Sequence, residues 1–283
     1  MKLAFSTNAF THYRLDHAIE SIAKAGYVGV EILADAPHAY PDLLDASLVK
    51  RVRQTLERTG LSISNINANC TFGYWKDPPP EPFFEPSLLS PDKTRREDRF
   101  TLIAKVIQFA HDVGAKNISI TSGKMTGDTP PDVAQQRMVE MLKRVTDVAE
   151  RVGIDVGIEC EPGLFLEYVD ELAAMIDVVG SARLGANLDV GHCQVIGESI
   201  PDAVRNLKGR IWNLHIEGMP GRKHYHLVPG DPRDTLDWPG LSAALIDTGY
   251  DRFATVELYT MAHNPHEAAQ KSIDFLRTMT VPK

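Results

Sequence analysis

The 283-residue chain is 43% hydrophobic and 24% charged, which excludes a disordered polypeptide and supplies material for a sizeable core. Its formal net charge is −8, and the basic cluster Lys93-Thr94-Arg95-Arg96 is followed at once by Glu97 and Asp98. That balance disfavours a nucleic-acid partner and leaves small neutral or weakly charged ligands open.

Short apolar runs predict eight strands, at roughly 2–8, 28–33, 62–69, 117–121, 155–160, 185–190, 211–217 and 253–259. Stretches with helical spacing follow them, at roughly 15–26, 46–59, 96–113, 131–152, 168–179, 199–208, 238–249 and 264–279. The joints agree. "AGY" at 25–27, "TGL" at 59–61, "VGA" at 113–115, "VGI" at 152–154 and "TGY" at 248–250 each put Gly between a helix and the next strand. Gly there ends a helix by taking a positive φ. Pro131 and Pro201 suit first-turn positions, where a missing N–H is harmless.

Eight strand–helix pairs predict an α/β fold: a single-domain (β/α)8 TIM barrel spanning residues 1–283. A doubly wound sheet would show a glycine-rich first turn, and "STNAFTHYRLD" contains no glycine. The segments after strands three (71–96) and seven (218–238) are long loops at the face where barrel enzymes keep their sites. The first is rich in proline and aromatics, and suits a pocket cover or a subunit contact in a homo-oligomer. Three isolated cysteines, Cys70, Cys160 and Cys193, fit a reducing cytoplasm, and neither a signal peptide nor a membrane span is expected.

Side chains alternate along a strand. In the last four strands the apolar set (Val156, Ile158; Leu188, Val190; Leu214, Ile216; Val256, Leu258) faces one way. The other set carries Glu159 and Glu161, Asn187 and Asp189, Asn213, His215 and Glu217, and Thr255 and Glu257. If the apolar set packs on the helices, the polar set converges at the C-terminal mouth. Carboxylates so close repel one another unless a cation neutralises them. Glu159, Asp189, His215 and Glu257 are therefore expected to bind one divalent metal ion. The oxygen-rich set favours Mn²⁺ or Mg²⁺, with Co²⁺ or Zn²⁺ possible. Glu161 shares the parity of Glu159 and is the rival ligand. His192 lies just past strand six, and Arg222, His224 and His226 on loop seven are candidates to reach the mouth and bind substrate.

The motifs "KLAFSTNAF", "AIESIAKAGYVGVEI", "GIECEPG", "ANLDVGH", "WNLHIEG", "HYHLVPGD" and "ATVELY" resemble the xylose isomerase-like barrel superfamily, in its sugar isomerase/epimerase-like branch. The resemblance to ketose 3-epimerases covers essentially the whole chain. It implies that Glu159, Asp189, His215 and Glu257 bind the metal, that Glu159 and Glu257 also act as acid and base, and that His192 touches substrate. Arg222 has only a loose match to a substrate-binding arginine. His192 and His226 also resemble extra ligands of the three-zinc endonuclease IV-like repair enzymes. Strands three and four, however, offer Asn65, Asn67, Asn69, Ser119 and Thr121 rather than further histidines.

The expected activity is thus a metal-dependent sugar isomerase or epimerase working through an enediolate on a sugar or polyol substrate. Loss of a hydroxyl from the same intermediate would make it a dehydratase or lyase. A DNA repair enzyme and a non-catalytic polyol-binding barrel are the weaker alternatives. Glu31, Asn8, Asn67 and Asn69 are candidates to bind hydroxyls, Glu31 first, and Trp75 or Phe72 to pack on the sugar.

Overall fold

Strands with one apolar and one polar face close on themselves when helices cover the apolar face. In the computed structural model, which describes residues 2–77, 84–127 and 129–279, that closure is complete. Strands β1 (Lys2–Ser6), β2 (Gly29–Leu33), β3 (Ser62–Asn67), β4 (Asn117–Thr121), β5 (Asp155–Glu159), β6 (Leu184–Asp189), β7 (Ile211–Ile216) and β8 (Phe253–Val256) form one parallel barrel in sequential order. β1 pairs with β8 through Leu3 opposite Ala254 and Phe5 opposite Val256.

The predicted (β/α)8 barrel is the fold, and the helices around it begin and end where capping chemistry dictates. They are α1 (Leu15–Ala25), α2 (Ala46–Thr59), α3 (Lys93–Val113), α4 (Pro131–Val152), α5 (Val169–Val179), α6 (Val190–Ile196), α7 (Ile200–Asn206), α8 (Trp238–Thr248) and α9 (Pro265–Thr278). α3 starts three residues before the expected position because the Asp92 side chain accepts from Thr94 N and caps it. Gly60, Gly114, Gly153 and Gly249 close α2, α3, α4 and α8 with positive φ, as the joint pattern predicts. α6 has no counterpart in the sequence reading, which continues strand six to 190. The strand stops at Asp189 because the Asp189 side chain accepts from His192 N and starts a helix.

Val156, Ile158, Leu188, Leu214, Ile216 and Val256 are buried in the single core between strands and helices. The barrel lumen is polar instead. Asn117 Nδ2 donates to Asn65 Oδ1 at 2.8 Å, and Asn213 Nδ2 donates to Asn187 Oδ1 at 2.8 Å. The Thr255 hydroxyl lies 2.9 Å from Asn213 Oδ1 and 3.0 Å from Ser64 Oγ. This hydrogen-bonded layer is the floor on which the functional end rests. Among the described residues no helix is long and apolar enough to cross a membrane.

Of the loop after β3, residues 78–83 lie outside those described. Its first turn is held from below by two buried charges. Asp35 accepts from the backbone N–H groups of Thr71 (2.8 Å), Phe72 (2.9 Å) and Gly73 (2.7 Å). Arg99 donates to the carbonyls of Asn69 and Ala68. Asp35 also accepts from Ala36 N, so replacing it by Ala strands four backbone donors, one of them buried and three part-buried; a buried unsatisfied donor costs about 1–3 kcal/mol. Asp35→Ala is therefore expected to lower stability by about 3 kcal/mol in urea titrations. A loss below about 0.5 kcal/mol, the scale of an ordinary surface substitution, would show that the turn holds itself.

Candidate metal centre and substrate mouth

The four expected ligands meet. One ligand atom from each of Glu159, Asp189, His215 and Glu257 falls within 4.8 Å of all the others, and all four residues are buried. β6 and β7 are in register with Asp189 opposite His215. Glu257, one residue past β8, continues the ladder through its N–H to Ile216 O at 3.2 Å. His215 Nδ1 lies 3.0 Å from Glu159 Oε1, 3.8 Å from Glu257 Oε2 and 3.9 Å from Asp189 Oδ2. Donors about 2.1 Å from a common ion stand roughly 3–4 Å apart, so the spacing fits one divalent cation.

Asp189 shows how the sequence prepares this. Its Oδ1 accepts from His192 N at 2.9 Å, while its Oδ2 is buried among the other acids with no hydrogen-bond partner. A buried carboxylate oxygen without a donor is costly; a cation in the ring would satisfy it, as would a proton on the adjacent Glu217. Glu257 is aimed by two amides from the first half of the barrel: its Oε1 accepts from Asn8 Nδ2 at 3.0 Å and from Asn67 Nδ2 at 3.4 Å. Burial, with Glu159, Glu31 and Asp189 nearby, pushes the Glu257 carboxyl well above the usual carboxylate range despite His215. Burial works the other way on His215, but Glu31, Glu257 and Glu159 outweigh it and hold the imidazole protonated well above its ordinary value. In the ion-free ring, that proton supplies the positive charge.

A cavity of about 670 Å³ opens above the ring. Of the four ring residues only Glu159 and Glu257 line it; Asp189 and His215 lie beneath. Its other walls include Asn8, Asn67, Asn69, Phe72, Glu161, His192, His224, His226 and Tyr259. A larger cavity, about 870 Å³, lies at the opposite end among Lys2, Ser62, Asn117 and Arg252 and contains none of the ring residues.

The remaining candidates separate clearly. Glu161 points past the ring, 3.5 Å from His192 Nε2 and 3.9 Å from His224 Nδ1. Burial pushes its carboxyl up to about 8, with Glu159 and Asp189 adding to the effect against His192. His192, on α6, is fixed by its Nδ1 on Cys160 O at 2.8 Å and presents Nε2 to the cavity, 3.1 Å from His224 Nε2. His226 donates from Nδ1 to Glu257 O at 2.9 Å, and its buried Nε2 has no partner. His192, His224 and His226 themselves have ligand spacing.

Three expected substrate contacts stand elsewhere. Arg222 lies outside the mouth, because its Nε donates to Val195 O and its guanidinium packs over Gly197. Trp75 is held within its loop by Nε1 on Glu85 O at 2.9 Å and by Tyr74 at 5.0 Å, while the exposed Phe72 takes the mouth position. Glu31 faces inward as its parity implies, but below the ring, where it is completely buried against His215.

Glu217 was legible only as a member of the inward-facing set, and Glu161 only as a rival to Glu159; Tyr259 was not singled out. Glu217 is fully buried beneath Asp189 and His226, with both oxygens unpartnered, in the space a Cβ on Gly191 would need. Burial, then Asp189 and Glu257, pushes its carboxyl well above the ordinary range.

The model of the xylose isomerase-like TIM barrel family matches residues 19–279. The chain belongs to that family. Among its relatives, a fructoselysine 3-epimerase of Shigella flexneri is 26% identical over 284 residues, covering 99% of this chain and 98% of the relative. A 2-oxo-tetronate isomerase of Cupriavidus necator is 25% identical over 256 residues, covering 87% and 89%. A solved structure of D-psicose 3-epimerase with D-tagatose from Clostridium cellulolyticum superposes with a TM-score of 0.78 at 19% identity, covering 99% of this chain and all of the other. Within the family barrel, the four-residue ring occupies the C-terminal end of the last four strands.

An ion entering the ring must displace the His215 Nδ1 proton. Binding therefore releases a proton, and affinity falls as pH falls below the raised His215 value. Calorimetric Mn²⁺ titrations are expected to show affinity rising at least tenfold per pH unit between about pH 6 and about pH 8, because the raised carboxyl of Glu257 in the same ring adds to the protons displaced. A pH-independent affinity would mean that no proton leaves the site.

Proposed function

We propose that this chain is a divalent-metal-dependent sugar isomerase or epimerase, in which Glu159 and Glu257 move a proton at the carbon beside a carbonyl. The observation that carries this reading is the division of the ring. Asp189 and His215 lie beneath the cavity as holders, whereas Glu159 and Glu257 reach both the ring and the space a substrate would fill. The two glutamates come from β5 and the end of β8, so they address a substrate from different sides. A bound divalent ion supplies a Lewis acid for the carbonyl and its adjacent hydroxyl; Mn²⁺ or Mg²⁺ suits this oxygen-rich set best.

One glutamate, ionised, takes the proton, and the other, protonated, returns one. The amides of Asn8 and Asn67 fix Glu257 Oε1 and leave Oε2 toward the ring. His192 and His224 offer nitrogen atoms to hydroxyls higher in the cavity, and Phe72 and Tyr259 offer ring faces to the carbon chain. Return of the proton to the same carbon from the other face gives an epimer. Return to the neighbouring carbon gives an isomer. A dehydratase on the same site is the second reading, because Glu161, held up at about 8, could protonate a departing hydroxyl.

Among the described lining residues there is no lysine or arginine to pair with a phosphate, so a free sugar suits this mouth better than a sugar phosphate.

Glu159→Gln and Glu257→Gln are each expected to keep the fold and slow exchange of the substrate's carbon-bound proton with deuterated water by about 10²–10⁴-fold. Normal exchange in either variant would remove that residue from the acid/base pair. Chelator dialysis is expected to abolish turnover and Mn²⁺ to restore it; full activity in chelator would end the metal reading. Across matched pairs, free ketoses are expected to turn over with kcat/KM at least tenfold above their phosphate esters, roughly the effect of one missing charged partner. Equal values would show that the lining sets no preference.

A further inference from the structure

Glu31 is a completely buried carboxylate that lines no part of the substrate cavity, and the acid/base chemistry does not use it. Its Oε2 lies 2.7 Å from His215 Nε2. The opposite nitrogen of the same ring, Nδ1, faces Glu159, Asp189 and Glu257. The imidazole is thus gripped by Glu31 on one edge, while its other edge faces the ring beside Asn187, whose Nδ2 lies 3.2 Å from Nδ1. Glu31 is itself fixed: Asn65 Nδ2 donates to the same Oε2 at 2.7 Å, and Asn65 is locked by Asn117 and Ser119 at 2.8 Å each.

We propose that Glu31 is a positioning residue of the metal centre, holding His215 as the tautomer protonated on Nε2 so that the Nδ1 lone pair points at the ion. A carboxylate accepting from the far nitrogen of a metal-bound imidazole fixes the ring and makes the near nitrogen a stronger donor. This assigns Glu31 to the ion rather than to a sugar hydroxyl. It also explains why β2 and β3, which contribute no ligand to the ring, carry buried polar side chains at this depth. The inference rests on the metal reading of the ring, and its test separates the two.

The test compares wild type, Glu31→Gln and Glu31→Leu by calorimetric Mn²⁺ titration, with ¹⁵N–¹H spectra of histidine-labelled, Zn²⁺-loaded protein. Loss of such a carboxylate partner typically weakens metal binding about 10–100-fold. Glu31→Leu is expected to lose that much affinity, and Glu31→Gln, which keeps an acceptor but no charge, to fall between. The loaded wild type is expected to show His215 protonated on Nε2 with a slowly exchanging N–H, and the Leu variant to lose that protection. If Glu31→Leu does not fold, the Gln affinity and the wild-type tautomer decide the matter. Wild-type Mn²⁺ affinity in a folded variant, or protonation on Nδ1 in the loaded protein, overturns the assignment. An unchanged Mn²⁺ affinity with a raised sugar KM returns Glu31 to the substrate. A wild-type protein that binds neither ion defeats the metal reading as well as this one.

Discussion

The constraint on which this structure depends is electrostatic: Glu31, Glu159, Glu161, Asp189, Glu217 and Glu257 crowd the C-terminal end of one barrel with little access to water. Removing one ionised carboxylate from water costs several kcal/mol, and neighbours of the same sign raise the cost. The protein meets this in two ways. Burial and neighbouring acids favour the neutral form of Glu161 and Glu217. The fold also places His215 at the centre of the cluster, within 4 Å of Glu31, Glu159, Asp189 and Glu257. A divalent ion in the ring would take over the second role and free the imidazole to act as a ligand.

That requirement shapes the barrel below. An apolar lumen could not hold Glu31 and His215 at this depth, so the interior is a ladder of amides and hydroxyls tied to one another: Asn117 to Asn65, Asn65 to Glu31, Asn213 to Asn187. A buried network of mutual hydrogen bonds is rigid, and rigidity is what holds the four side chains of the ring in place. The hydrophobic contribution to stability comes from the other side of the strands, where Val156, Leu188, Leu214 and Val256 pack beneath the helices. Alternation thus divides the work residue by residue along each strand.

The first half of the barrel supplies no carboxylate ligand to the ring but supplies aim and enclosure. Asn8 and Asn67 orient Glu257 from β1 and β3. Asp35 and Arg99, both buried, pin the turn that presents Phe72 at the mouth. Asp189 links the ring to the cavity wall: one of its oxygens starts a helix that carries His192 to that wall while the other faces the ring.

Much of this was written in the sequence because period-two alternation needs no tertiary knowledge. Once eight strand–helix units were counted, parity alone put Glu159, Asp189, His215 and Glu257 on the inner face, and glycine joints marked the helix ends. Depth and direction were not legible. Glu31 has the same inward parity as a substrate contact, yet only the three-dimensional stagger of the strands set it beneath the ring against His215. Glu159 and Glu161 are equivalent by alternation, yet β5 ends at Glu159, which joins the ring, while Glu161 lies beside His192 and His224. Arg222 and Trp75 sit on loops without a repeating period, so nothing local showed that Val195 O and Glu85 O would capture them. Sequence alone determined which side chains face the lumen, because backbone geometry enforces that at every second residue. Tertiary structure decided which of them meet, because distance across a barrel depends on strand stagger and loop path, and neither is encoded within one segment.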